Sequence, residues 1–504
     1  MNDKYLNYRD FADIDSIFTR LKEIKEEHWR KGLEEKALDV FHLASQTPAY
    51  QKLLKEFHIK AKDIKTFADF KALPIMSKSN YLNKYELDER LLTPVSKIKS
   101  FYMSSGSTGE PGIWPRFSEA NEAYSIFVNF IYELYWSISK KKSLYITALD
   151  LGIWASGNLQ FHAAMYCSER NDFTFANTGA DFTYIYSVIK KLHKYYDQII
   201  ISAYPSFARR LLDYLIESDL DLKKIKLGFM LGGEPHTIEW RHYILGKLGK
   251  EEDDVRTVID YYGTSDSGGP GLSTPLTHLI QNLSYKDKAL CKDLFKQSVV
   301  PSLFQQNPLL FVESIDGKII ITYPGQLPLC RYDSGDTGTI LRFSHVEKLL
   351  RNHGYDIYKL LDEKKCKDVW EWPLIYLTGR SDYAIAIGGA VVYPKDIEGL
   401  FFQDITKDIN SFKMSVKEDS EHRYHFVIYI ELKEKNSVDL LNTDLLKEKL
   451  KTSILERLIT VNLDYAAAYE MDKESCDPEI IICEFNSEPF SGDRKKPKSN
   501  FIAK

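Results

Sequence analysis

Between about residue 120 and residue 265 the chain alternates helical and strand patterns, and no other feature limits its fold as tightly. Ala120 to Ile138 has helical spacing and Ser143 to Thr147 reads as a strand. Tyr184 to Tyr195 is helical, and Gln198-Ile199-Ile200-Ile201 has the continuous apolar run of a strand buried on both faces. Ser206 to Glu217 reads as helix, Ile225 to Leu231 as strand, Ile238 to Leu248 as helix and Val255 to Tyr262 as strand. Such alternation predicts an α/β architecture, a parallel or mixed sheet with helices on its faces. Ligands then collect in the loops at the carboxyl ends of the strands. Two polar stretches lie there: Gly232-Gly233-Glu234-Pro235 and Tyr262-Gly263-Thr264-Ser265-Asp266.

The flanks are built differently. Residues 12 to 56 are helical, with Ile14, Ile17, Phe18, Leu21 and Ile24 at helical spacing, and Thr47-Pro48 interrupts the pattern. Leu73-Pro74-Ile75 is forced extended by its proline. Residues 309 to 342 read as short antiparallel strands around Ile315-Asp316-Gly317-Lys318. Toward the end, Tyr424 to Glu431 reads as a strand, Asp444 to Glu456 as a helix, and Leu463 to Tyr469 and Ile480 to Phe485 as strands. That set is compact enough for a small α+β domain. The expected division is 1–381 and 382–504, with the boundary at Asp382.

Composition removes several classes of function. Net charge is −5, so no overall basic field argues for nucleic acid. The start, M-N-D-K-Y-L-N-Y-R-D, lacks the apolar core of a signal peptide, and no apolar run is long enough to span a membrane. Cys167, Cys291, Cys330, Cys366, Cys476 and Cys483 form no C-x-x-C pair, which argues against structural zinc and for a reducing, cytoplasmic setting.

The stretch Tyr102 to Pro111 reads Y-M-S-S-G-S-T-G-E-P. Ser104, Ser105, Ser107 and Thr108 alternate with Gly106 and Gly109. Glycines let successive N–H groups turn toward a common point, hydroxyls add rotatable donors, and such a nest suits a polyphosphate. It is neither a Walker loop nor a dinucleotide fingerprint. A Ser/Gly surface loop is the plain alternative.

Seven stretches, in order, resemble one family. They are T-P-A-Y-Q-K-L-L with D-F-K-A-L-P (47 to 74), S-S-G-S-T-G-E-P, I-I-I-S-A-Y-P-S-F-A (199 to 208), G-G-E-P, D-Y-Y-G-T-S-D (260 to 266), L-P-L-C-R-Y-D-S-G-D (327 to 336) and T-G-R-S-D-Y (378 to 383). The chain resembles the phenylacetate–CoA ligase family, a branch of the adenylate-forming superfamily of acyl-CoA synthetases, adenylation domains and luciferases. The resemblance implies a large N-terminal domain of mixed sheets flanked by helices with a small β-barrel-like part, and a small mobile α+β C-terminal domain. It also implies ATP and Mg²⁺ as cofactors, a carboxylic acid, aryl or similar, as substrate, and coenzyme A or a carrier protein's phosphopantetheine as acceptor.

By resemblance, Ser104, Ser105, Gly106, Ser107, Thr108 and Gly109 hold the β- and γ-phosphates. Glu110 stands where most relatives have lysine, a departure that bears on phosphate binding. Ser265 corresponds to the hydroxyl at the α-phosphate and Asp266 to the acidic residue that supports Mg²⁺. Tyr262 and Gly263 flank the adenine, with Gly233, Glu234 and Pro235 as its other wall, while Asp336 and Arg380 take the ribose. Asp382 matches the hinge of the mobile domain, and Ile387-Gly388-Gly389-Ala390 the loop that meets the pantetheine arm. The catalytic lysine falls in Ser491-Gly492-Asp493-Arg494-Lys495-Lys496-Pro497-Lys498, with Lys496 first and Lys495 and Lys498 beside it. Loops around Trp154 to His162, with Phe161, Tyr204 and Gly232, are expected to line the acid pocket.

Three functions follow. The first is an acid–thiol ligase that forms an acyl adenylate and passes the acyl group to coenzyme A. The second keeps adenylation but loads an acceptor protein or feeds amide formation. The third is a non-catalytic relative serving as a binding partner, motivated by Glu110, Asp266 and the irregular lysine segment. Residues 275–308 and 344–373 exceed the family's plan, and cover over the site, a homodimer contact and passive insertion all fit them.

Overall fold

The structure is a computed structural model that describes residues 6–104, 112–233, 236, 238–296, 300–366, 368–380, 385–392, 396–397, 400, 409–432 and 440–491. Met1–Met103, Ile113–Ala203 and Leu215–Gly379 form one compact unit; Tyr204–Tyr214 and Arg380–Lys504 belong to a second.

The first unit opens with helices α1 (Ile14–Glu23), α2 (Glu26–Ala44), α3 (Pro48–Glu56) and α4 (Phe67–Lys71). Thr47 caps α3 by accepting from the Tyr50 amide, with Pro48 in the first turn where its missing N–H costs nothing. A two-stranded ribbon follows, β1 (Ser100–Ser104) with β2 (Gly112–Arg116). The alternation then runs α5 (Ser118–Trp136), β3 (Ser143–Thr147), α6 (Ala155–Ser168), β4 (Phe173–Asn177), α7 (Phe182–Leu192), β5 (Gln198–Ala203), α8 (Pro205–Glu217), most of which belongs to the second unit, β6 (Leu227–Gly232), α9 (Ile238–Lys247) and β7 (Val258–Thr264). After β8 (Gly268–Leu272) come α10 (Pro275–Lys286), α11 (Lys288–Phe295), β9 (Ser302–Gln306), β10 (Phe311–Ile315), β11 (Lys318–Tyr323), β12 (Leu329–Leu341), α12 (Phe343–Asn352), α13 (Ile357–Glu363) and β13 (Leu374–Arg380).

One sheet of eleven strands organises the unit, in the order β10-β11-β12-β13-β9-β8-β7-β6-β5-β3-β4. From β7 to β4 neighbouring strands are parallel. Every residue of β3 and β5 is buried, as expected for strands covered on both faces. At β8 the sheet turns antiparallel, first with β7 and then with β9. The short strands expected over 309–342 form and continue this sheet. The antiparallel half curls on itself. Tyr262 on β7 and Asp336 on β12 are four strands apart in the order, about 19 Å in a flat sheet, yet their side chains hydrogen-bond at 2.7 Å. That curl is the barrel-like part.

Helix α5 is buried over most of its length and packs with α1, α6 and the sheet in one core, where Trp370 stacks on Trp372 at 4.6 Å and Trp29 meets Trp372 edge-on. A second core joins α2, α3 and α4 to β12. Arg331 fastens it: Nε and one Nη bind Glu313, and the other Nη donates to the carbonyl of Leu73 at 2.6 Å.

The second unit contains a ribbon of β14 (Ile385–Ile387) and β15 (Ala390–Val392), and a sheet of β16 (Ile409–Glu418), β17 (Tyr424–Leu432) and β18 (Glu479–Cys483). One expectation fails here. Leu463–Met471 is a helix, not a strand, started by Asn462, whose side chain accepts from the Tyr465 amide. Strand β16 was not expected from the sequence and pairs antiparallel with β17. Among the described residues no helix is long and apolar enough to cross a membrane.

Candidate functional site

The parallel strands β3, β5, β6 and β7 present their carboxyl ends along one edge, in a register that places Thr147 beside Ser202, Ala203 beside Leu231 and Gly232 beside Tyr261. The strand order reverses between β3 and β5, which makes the crevice beyond their ends the favoured place for a ligand. Gly232 ends β6 and Gly233 follows it. Trp154 is the N-cap of α6, close after β3. Tyr204 directly follows β5.

Strand β7 runs two residues further than Tyr262 and turns back into β8, with Thr264 paired to Gly268. Ser265 and Asp266 therefore sit at a hairpin tip. The Thr264 and Ser267 hydroxyls meet at 2.7 Å, and Thr264 Oγ1 accepts from the Ser267 amide at 3.1 Å, which fixes the turn that carries them. Tyr261 and Tyr262, consecutive on a strand, face opposite ways. Tyr262 enters the curled half, packs on Phe304 at 5.6 Å and donates to Asp336. Burial first, then the charge of Asp336, holds the Tyr262 hydroxyl protonated, well above its ordinary value. Tyr261 faces Tyr124 edge-on at 6.0 Å, against Gly263 and Gly269.

The tip opens on a crevice lined by Ser265, Asp266, Arg116, Trp114, Tyr323 and Gln326, among others. Arg116 was not singled out from the sequence. Its signal is the period-two burial of β2, where Trp114 and Arg116 share the inward face. Sequence reasoning also missed the pair of His236 and Asp260, in contact at 2.7 Å, which ties the chain after Pro235 to β7. Burial pushes the Asp260 carboxyl up, but His236 beside it, with Arg241 behind, outweighs this and holds it below the usual carboxylate range.

His162 and Phe161 lie on α6 rather than in a loop, a correction to the expected loop placement and not to the lining itself. Burial, and secondarily the charge of Arg116, lowers the His162 pKa. Ser104 ends β1 and Arg380 ends β13, and their side chains lie outside the described residues. Ser105, Gly106, Ser107, Thr108, Gly109, Glu110, Glu234, Pro235, Asp382, Lys495, Lys496 and Lys498 lie outside them as well. In the second unit, Gly388 and Gly389 have φ of +57° and +87° between β14 and β15. A two-residue hairpin turn of this kind requires positive φ at both positions, so turn geometry alone accounts for both glycines.

Among the described residues no three His, Cys, Asp or Glu side chains gather as a metal cage. Asp266 offers one carboxylate to the crevice. Magnesium is commonly held by one or two carboxylates plus substrate phosphates and water, so this donor set fits a magnesium ion that accompanies a nucleotide.

No family model matches the chain, and no curated protein does. Solved structures do. The crystal structure of 2-hydroxyisobutyryl-CoA ligase with 2-HIB-AMP and CoA in the thioesterification state matches with a TM-score of 0.64 at 15% identity, over 96% of this chain and 91% of that one. The same ligase in an open conformation, again with 2-HIB-AMP and CoA, gives 0.53 at 14% identity, over 96% and 94%. Its postadenylation state with R3-HIB-AMP gives 0.53 at 14%, over 96% and 90%. The chain shares its fold with that CoA ligase along nearly its whole length.

Proposed function

We propose that the chain is an AMP-forming ligase. A carboxylate oxygen of the substrate acid attacks the α-phosphorus of ATP and pyrophosphate leaves, giving an acyl adenylate. The sulfur of a thiol, coenzyme A in this reading, then attacks the acyl carbon and AMP leaves. The observation that carries the proposal is the Tyr262–Asp336 pair: two residues 74 positions apart, assigned by resemblance to adenine and ribose, lie side by side at 2.7 Å.

In this reading Asp336 accepts from the ribose hydroxyls, and the Tyr262 hydroxyl holds its carboxylate in place. Ser265 donates to the α-phosphate from the fixed hairpin tip. Magnesium, when bound, neutralises charge on the phosphates, and Asp266 orients it. The loop Ser104 to Gly109 takes the β- and γ-phosphates, Arg380 meets the ribose, and Gly233 with Glu234 and Pro235 walls the adenine. Trp154, His162, Tyr204 and Gly232 bound the acid. Lys496, or its neighbour Lys495, stabilises the adenylation transition state, and the residues beyond the hinge at Asp382 rotate between the two half-reactions.

Pyrophosphate release from ATP and Mg²⁺ across aryl, fatty and amino acids, with and without coenzyme A, tests this. Release that depends on an acid, is lost in Asp336→Ala and rises with coenzyme A is the expected result. Release that coenzyme A leaves unchanged would move the acceptor to a protein or an amine. A chain that binds neither ATP nor AMP would end the ligase reading.

A further inference from the structure

The crevice at the β7–β8 tip contains a charge that the sequence-derived site does not use. Arg116 is only 8% exposed. Its Nε donates to Asn121 Oδ1 at 3.2 Å, and its guanidinium lies 5.7 Å from the centre of the Tyr102 ring. Among the described residues no carboxylate comes within 4.0 Å of it, and its Nη groups donate to none of them. A buried guanidinium without a counter-ion is costly, and in most interiors a carboxylate offsets it. Among the described residues none supplies that counter-charge, which leaves the guanidinium open to an anion that enters the crevice.

The opposite wall says what kind of counter-charge. Asp266 lines the same crevice without pairing to Arg116, and Ser265 adds a hydroxyl. A bare anion would meet the Asp266 carboxylate and be repelled; a bare cation would meet Arg116. An occupant that carries both signs satisfies both walls, and a phosphate with its magnesium is such an occupant. The free volume is about 30 Å³, about two to three times what one water needs, which is room for a small polar group.

We infer that Arg116 is a phosphate-binding residue, taking an oxygen of a magnesium polyphosphate in the crevice it shares with Ser265 and Asp266. This rests on the ligase reading for the nucleotide, though not for the anion site itself.

Calorimetry on the full chain with magnesium tripolyphosphate, and separately with adenosine, tests the inference in wild type, Arg116→Gln and Arg116→Lys. The expected result is tripolyphosphate binding that weakens at least tenfold in Arg116→Gln, recovers in part in Arg116→Lys, and leaves adenosine binding unchanged. Thermal melts of each variant establish that it is folded, and Arg116→Lys keeps the test usable should Arg116→Gln be unstable. Wild type that ignores tripolyphosphate, or Arg116→Gln that binds it within twofold of wild type, would overturn the inference. So would a loss confined to the affinity for the carboxylic acid. A chain whose tripolyphosphate binding depends on Arg116, but which neither binds adenosine nor releases pyrophosphate with any acid, would uphold the anion site and end the ligase reading, so the two fail separately.

Discussion

The Tyr262–Asp336 hydrogen bond can be weighed by a double-mutant cycle. Both residues are buried, Asp336 at 7% exposure, and the bond runs from a neutral phenol to a carboxylate. Hydrogen bonds to charged groups contribute about 1.5–3 kcal/mol. Tyr262→Phe removes the donor and leaves the carboxylate short of one partner. Asp336→Ala removes the acceptor and leaves a buried phenol, at a cost of about 1–3 kcal/mol. The double variant removes both ends, so it should cost little more than the worse single change. The expected coupling is about 2 kcal/mol, well above the ~0.5 kcal/mol within which independent sites add. Urea unfolding followed by tryptophan fluorescence reads it, because all 7 tryptophans lie in the first unit and the second contributes no signal. Additivity of the two single changes would refute the claim that the curl of the antiparallel half joins these residues, and with it the observation on which the proposed function stands.

Three further outcomes are expected. Two helical glycines should respond oppositely to alanine. In Gly157→Ala the new Cβ would fall 1.9 Å from the backbone oxygen of Asp150, for a loss of about 1–3 kcal/mol, whereas Gly246→Ala meets nothing within 4 Å and should gain about 0.5–1 kcal/mol in thermal unfolding. Burial pushes the hydroxyls of Tyr50, Tyr124 and Tyr132 well above their ordinary value and that of Tyr81 up to about 12. Their contribution to stability is complete below the unfolded value near 10 and is lost as pH rises above it. Phenolate absorbance from these rings should therefore appear together with loss of circular dichroism, and its appearance in a fully folded chain would contradict their burial. Finally, Arg116→Gln should raise the pKa of His162, read by proton NMR, because it removes the charge that adds to the effect of burial.

Much of the α/β frame was legible because period and burial agree. Ile199-Ile200-Ile201 is continuously apolar and is buried on both sides. Helix α6 escaped because its buried residues, Ala155, Gly157, Leu159, Gln160, Ala163, Ala164 and Cys167, leave no clean polar face, and Gly157-Asn158 near its start reads like a loop. Its glycine is there for the close approach of the Asp150 carbonyl, in the loop just before the helix, a contact that no helical or strand period carries. Leu463-Asp464-Tyr465-Ala466-Ala467 alternates as a strand does, yet the Asn462 cap and three successive alanines favour the helix that forms. In the site, Tyr262 and Asp336 could each be named from the sequence, but their contact could not, since it depends on the curl of strands four apart. Arg116 was hidden for the opposite reason: a single basic residue in a short strand looks like surface until Trp114 shows which face is inside.

The Arg331 clasp has a consequence for how the chain is made. Leu73 and Arg331 are 258 residues apart, and the buried partners of α2 and α3 include Leu329, Cys330 and Tyr332. At roughly 5–20 residues per second, the ribosome emits the N-terminal helices some 13–50 s before the strand that seals them. During that interval Phe41, Tyr50, Leu53 and Phe70 have no distant wall to rest against. The nascent chain thus exposes an apolar surface until that strand arrives. Heterologous expression should be governed by that waiting time, with slower growth temperatures and chaperone supply changing soluble yield more than surface substitutions do.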